Sequence, residues 1–246
     1  MLVSFSQIYG NRICLLKYRQ KDKDFNNFLS NFDKNIISLH NCSQEIKDFI
    51  YSTKLFENQE VWELNHPSTM GNYAKVVDLL TQYKYSKFLM YEDDGYSSEL
   101  NSSNSNELLD FIKNEKFDYL SLYFRNNFLK NASPSIFYEK GSLKIFNTTT
   151  DDFKNNGYWA MDHGPFCSGN SEFMSRVFFS QRWLSFSDMW NAEAYANALF
   201  HQHPHQRLVS NYSFIRLYNF LGRNINPKNE KELQDRLEKG IVSVHA

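Results

Sequence analysis

The chain has 246 residues, 41% of them hydrophobic, and a formal net charge of −1 from 27 Lys and Arg against 28 Asp and Glu. That length and apolar content can bury one sizeable core, and the near-neutral charge excludes a global basic field for holding nucleic acid by counterion release. No apolar run approaches the roughly 20 residues that cross a bilayer, so no transmembrane segment is expected.

Cys14, Cys42 and Cys167 are widely spaced and form neither a zinc pattern nor a disulfide framework. Met1 to Ser6 is too short and wrongly flanked for a signal peptide. Together these point to a reducing, cytoplasmic setting.

In chain order, Leu2 to Ser6 is a short apolar strand. A mixed segment follows, with partial helical spacing over Asp24 to Leu29. Ile36 to His40 is a second strand. Ser43 then caps a helix through Lys54, with Ile46, Phe49 and Ile50 at core spacing. Glu60 to Leu64 alternates apolar and polar as a third strand. Tyr73 to Leu80 is an amphipathic helix, and Phe88 to Tyr91 is a fourth strand. This alternation predicts a parallel, doubly wound α/β sheet with right-handed crossovers.

The pattern then changes. Ser97 to Asn106, rich in Ser and Asn, is expected to be a flexible loop. Glu107 to Asn114 reads as helix and Tyr119 to Tyr123 as strand. Residues 131 to 163 read as irregular with short strand-like pieces. Helical spacing returns over Phe173 to Trp183 and Trp190 to Phe200. Asn226 and Pro227 open a terminal helix that stops near Gly240. No repeat and no interdomain linker stands out.

The chemistry concentrates at Tyr91-Glu92-Asp93-Asp94, where the fourth strand ends in three carboxylates. Like charges so close raise one another's pKa unless a cation sits among them. Residues two apart share a face of an extended chain, so Glu92 and Asp94 can offer oxygen ligands together, with Asp93 opposite. Such donors suit Mg²⁺ or Mn²⁺. A solvated acidic turn is the alternative.

The stretch Met70-Gly71-Asn72-Tyr73-Ala74-Lys75 through Phe88-Leu89-Met90-Tyr91-Glu92-Asp93-Asp94 resembles the GT-A glycosyltransferases in its order of glycine, helix, apolar strand and acidic Asp-x-Asp-type motif. Glu92 stands where Asp is more usual. The resemblance implies a Rossmann-like, mostly parallel central sheet with helices on both faces, in one compact domain over 1–246. Residues 1–95 would bind the nucleotide-sugar, 96–225 would hold the acceptor and catalytic residues, and 226–246 would form a C-terminal helix.

The resemblance further implies a metal-dependent transfer of sugar from a nucleotide-diphosphate donor, UDP- or GDP-linked, to a glycan or other hydroxyl acceptor. Asp94 would ligate Mn²⁺ or Mg²⁺ directly, with Glu92 or Asp93 acting through water or on the ribose. Ser4, Phe5 and Ser6 would line the nucleotide, joined by Asn41, Gly71 and Lys75. Gly71 as a simple turn and Lys75 as a surface charge are the competing readings.

In the second half, Asp162 to Asn170, with its Gly-Pro-x-x-x-Gly-Asn run, reads as a tight loop that brings backbone to a ligand, or as an ordinary turn. An inverting transferase needs a carboxylate base, for which Asp188 is first choice and Glu193 second. Asp188 as a helix N-cap competes. His201, His203 and His205 alternate, so all three imidazoles can share one face of an extended segment. One of them, with His203 at the centre, would complete the metal shell by the same resemblance. Two other functions stay open: a sugar nucleotidyltransferase, and a non-catalytic carbohydrate-binding or scaffold domain. The first would want a glycine-rich phosphate loop near the first strand, where Tyr9-Gly10-Asn11-Arg12 offers a single glycine.

Overall fold

An apolar run at the start of the chain, Leu2–Tyr9, forms strand β1 at the heart of the molecule. The structure, a computed structural model, describes residues 1–9, 13–65, 75–76, 85–93, 95–123, 134–149, 151–152, 165–177, 195, 198–202, 204–217, 231–232 and 235. After β1 come helices α1 (Ile13–Gln20) and α2 (Lys23–Leu29), then β2 (Lys34–His40), α3 (Gln44–Thr53) and β3 (Gln59–Leu64). The acidic strand is β4 (Lys87–Glu92), followed by β5 (Gly95–Ser97) and α4 (Ser102–Asn114). Among the described residues there follow β6 (Tyr119–Ser121), β7 (Ser135–Lys140), β8 (Leu143–Thr148), β9 (Phe166–Ser168), α5 (Ser171–Val177), β10 (Arg207–Ser210) and β11 (Ile215–Leu217).

Nine strands form one sheet in the order β3-β2-β1-β4-β9-β6-β10-β8-β7, and β5 with β11 form a two-stranded ribbon. The pairs β2–β3, β1–β2 and β1–β4 are parallel, so the first half has the expected doubly wound order. β9 lies antiparallel to both β4 and β6, and β8 antiparallel to β10.

Side chains alternate across the strands and build a core on each face. One holds Ile8, Ile37, Leu39, Leu89 and Tyr91 under residues of α1 to α4. The other holds Phe5, Ile36, Trp62 and Phe88 with Val76, Phe173 and Phe200. Val76 comes from the expected helix 73–80, of which Lys75 and Val76 are described, both helical.

Local chemistry sets the helix ends. The Asp22 carboxylate accepts from Phe25 N at the start of α2, and the Ser43 hydroxyl accepts from Ile46 N at the start of α3. The expected loop over 97–106 is replaced by structure. Ser97 closes β5, and α4 begins at Ser102, five residues before the expected Glu107, because Asn101 and Asn104 cap it reciprocally. Asn and Ser there are capping residues.

Most of the segment expected to be irregular between 134 and 149 is the β7–β8 hairpin. Its turn is held by the Glu107 carboxylate, which accepts from Ser142 N at 3.2 Å and Leu143 N at 3.0 Å. Gly141 there has φ +57, and an added Cβ would lie 2.0 Å from Glu107 Oε1. Gly141→Ala should therefore lose about 1–3 kcal/mol, from left-handed strain and displaced capping together. Urea unfolding measures it, and a loss below about 0.5 kcal/mol would contradict the hairpin geometry.

The Asp162 to Asn170 run also departs from expectation. Phe166–Ser168 is a buried strand inserted between β4 and β6. Asn170 caps α5, its side chain accepting from Phe173 N at 2.9 Å. An added Cβ on Gly169 would lie 2.7 Å from Lys87 Nζ and from the Phe117 carbonyl. The glycine thus admits the Lys87 side chain, which donates to Glu115 O and lies 4.2 Å from the Phe117 ring centroid. Residues 162–164 lie outside the described residues.

Burial pushes the Cys167 thiol up from 9.0 to about 12. Its stabilising contribution is fully present below pH 9 and is lost as pH rises through 12. Between pH 8 and 10.5 the loss is about 2 kcal/mol. Cys167→Ala should flatten the alkaline slope of unfolding free energy by that amount, and an unchanged slope would refute the assignment.

Candidate functional site at the carboxyl edge of the sheet

The strand order reverses between β2-β1 and β1-β4. The chain steps outward from β1 through β2 to β3, then returns to place β4 on the other side of β1. Open α/β sheets form their ligand crevice at such a reversal, outside the carboxyl ends of the strands. Here Ser6 is paired with Tyr91 and Gln7 with Glu92, so the acidic strand end lies beside the exit of β1.

Asp93 follows directly and is 1% exposed. Beside it, Cys42 Sγ donates to Ile8 O at 3.3 Å. Burial raises the Cys42 thiol to about 11 against the opposing pull of its contact with His40, and the Asp93 carboxylate adds to the rise. Cys42 therefore keeps its proton at neutral pH, and the described carboxylate at this edge is that of Asp93. That donor chemistry fits a hard divalent cation. Among the described residues no group of three or more His, Cys, Asp and Glu is gathered as a metal set. Asp94 and His203 lie outside the described residues, and Glu92 is described by its backbone.

Below the edge, a buried polar network joins β1, β2, β4 and α1. The Ser4 hydroxyl donates to Asn35 Oδ1 at 2.5 Å, and Asn35 Nδ2 donates to Leu29 O. Arg19, 2% exposed, donates from Nη1 to Ser6 Oγ at 3.4 Å and lies 5.2 Å from the Tyr91 ring centroid. Burial raises the Tyr91 pKa, with Arg19 and the hydroxyls of Ser4 and Ser6 acting in the opposite direction. On the other face, Gln7 and Ser38 are buried near His40, whose Nε2 is 2.7 Å from Ser38 Oγ.

Ser6 is fully buried beneath Arg19, and Ser4 is tied one step deeper to Asn35. Phe5 points to the opposite core, with ring centroids 6.2 Å from Trp62 and 6.0 Å from Phe88. Asn41 adopts φ 50 at the exit of β2 and is exposed. Lys75 is exposed, one residue before buried Val76. Gly71, Asp188 and Glu193 lie outside the described residues.

Arg19, Gln7, His40 and Cys42 went unread in the sequence. The signal for Arg19 was weak, since its helix shows little segregation of apolar from polar residues.

The expected extended histidine segment is different in shape. His201 and Gln202 are helical, and the His205 ring packs 4.2 Å from Phe173 and 4.6 Å from Phe200. Both histidines precede β10, which runs parallel to β6 and hence to β4. They stand at the amino edge of the sheet, the opposite end from Asp93.

These features define a GT-A-like α/β fold whose strand order reverses at β1. No protein-family model matches the chain, and no curated protein does either. Among solved structures it is similar to TarS from S. aureus, residues 1–349, with a TM-score of 0.53 at 10% identity over 87% of this chain and 59% of that one. The same fragment in complex with UDP-GlcNAc gives 0.49 at 11% identity, over 100% of this chain and 67% of that one. A nucleoside-diphosphate-sugar pyrophosphorylase from Vibrio cholerae RC9 gives 0.45 at 10% identity, over 97% and 100%. The chain thus spans about three-fifths of the first TarS structure. Among the described residues no helix is long and apolar enough to cross a membrane.

Proposed function

We propose that this chain is a glycosyltransferase that moves a sugar from a nucleotide-diphosphate donor to a hydroxyl acceptor such as a glycan. The observation that carries this reading is the buried Asp93 carboxylate at the reversal of strand order, against the exits of β1 and β2. The TarS likeness supports the fold on which it rests.

Asp93, with Glu92 and Asp94, would hold Mn²⁺ or Mg²⁺. When bound, that ion stabilises the departing diphosphate as a Lewis acid. The exit of β1 beyond buried Ser6 and Gln7 would flank the donor, with Asn41 near the nucleoside. The β4 exit, fixed to Ser6 through Tyr91 and Arg19, would keep the carboxylates aligned without reorganisation in the reaction, which is where fixed charge contributes most. Asp188, or failing it Glu193, would take the acceptor proton.

Thermal unfolding with UDP-, GDP-, CMP- and dTDP-sugars, each with and without Mn²⁺, tests the donor. Saturation at 100 Kd adds about 2.7 kcal/mol and should raise Tm only when metal is present. Failure of every donor to do so sinks the reading. Release of pyrophosphate from a nucleoside triphosphate and a sugar phosphate would replace it with nucleotidyl transfer.

A further inference from the structure

A cleft of about 390 Å³, outside the crevice residues above, lies between the α1–α2 elbow and β5. Tyr18, Lys21, Asp22, Lys23 and Ser97 line it. Its size is at the lower end for small-molecule sites and suits one sugar-sized group.

The charges in it are not equivalent. Asp22 is committed to the fold. Its carboxylate accepts from Phe25 N at 3.1 Å, from Ser97 N at 2.8 Å and from Ser97 Oγ at 2.6 Å. Lys21 and Lys23, on either side of it, are exposed, and two ammoniums against one carboxylate leave the lining at a formal +1. Tyr18, half-buried, supplies an aromatic surface. An aromatic side chain beside two cations has the chemistry to take a sugar bearing an anionic group, the ring offering apolar surface and the ammoniums charge.

The cleft also lies near the acidic end of β4. Ser97 is four residues beyond Asp93, so their Cα atoms are at most roughly 14 Å apart. The Asp22 bonds clamp that short span to the α1–α2 elbow, and the same α1 carries Arg19 to Ser6.

We propose that this cleft is an acceptor-side subsite for a hexose carrying a phosphate or carboxylate group, which rests on the transferase reading above. Calorimetric titration of the whole chain with glucose 1-phosphate, glucuronate and the neutral methyl α-glucoside tests it. Either or both anions should bind, and the neutral sugar should bind at least about fivefold more weakly. Which anion binds identifies the group. The double variant Lys21→Gln/Lys23→Gln should lose at least about fivefold in anion affinity, as expected for two exposed charge contacts.

Asp93→Asn and saturating UDP with Mn²⁺ should leave anion binding unchanged. Equal affinity in wild type and the lysine variant overturns the proposal, as does binding that UDP displaces or Asp93→Asn abolishes. The lysine variant reads the cleft and Asp93→Asn reads the crevice, so failure of the subsite and failure of the transferase reading are told apart.

Discussion

Asp93→Asn is expected to lower sugar transfer by about 100- to 1,000-fold, the scale seen when one fixed electrostatic partner of a transition state is removed. The substitution keeps shape and removes charge. Because Asp93 is 1% exposed, the lost charge is one that water screens poorly. The same change removes a buried charge that raises the Cys42 pKa, so folding stability is measured beside activity. Single-turnover transfer across a Mn²⁺ titration, alongside urea unfolding, separates the effects. The rate should stay low when metal saturates, and the fold should persist. Transfer within threefold of wild type in a folded variant would remove Asp93 from the site.

Phe5→Ala should lose about 3–5 kcal/mol of folding free energy, the cost of emptying a buried aromatic site. Phe5 is fully enclosed, stacked on Phe88 and tilted against Trp62 in the centre of the sheet. Phe5→Leu refills most of the volume and should lose less than about 2 kcal/mol. The gentler variant decides the role of the residue. If Phe5 acts only through packing, Phe5→Leu keeps its donor affinity, read by the metal-dependent rise in Tm. A tenfold weaker donor in Phe5→Leu would restore the ring to the nucleotide pocket.

Phe5 shows why a strand can be legible in the sequence while its two faces are not. Leu2 to Ser6 announces a strand by composition. Which of Ser4, Phe5 and Ser6 faces a crevice depends on what covers each face, and alternation gives two solutions. Here α1 and α2 cover the serine face with Arg19 and Phe25, while Val76 belongs to the core on the phenylalanine face.

Elements whose signals are local were legible. Ser43, Ile46 and Ile50 cap and bury α3 as their spacing predicts. The helix α1 was obscured by its even mixture of apolar and basic residues. The start of α4 was obscured because Asn and Ser serve loops and capping boxes equally well. β9 is short and non-local: its partners β4 and β6 are 45 or more residues away, and the glycine after it reads as a turn until Lys87 is seen beside it.

The sequence by itself determined a four-strand parallel half and the acidic end of β4, because helix periodicity, capping and an apolar strand running into carboxylates are short-range properties. Tertiary structure decided that Asp93 is buried, where β4 leaves the sheet beside β1. It also decided that His201 and His205 lie at the far edge, because the direction of β10 follows from pairing with β6, which is distant in sequence. Burial and strand direction arise from contacts between distant segments, and one-dimensional spacing does not record them.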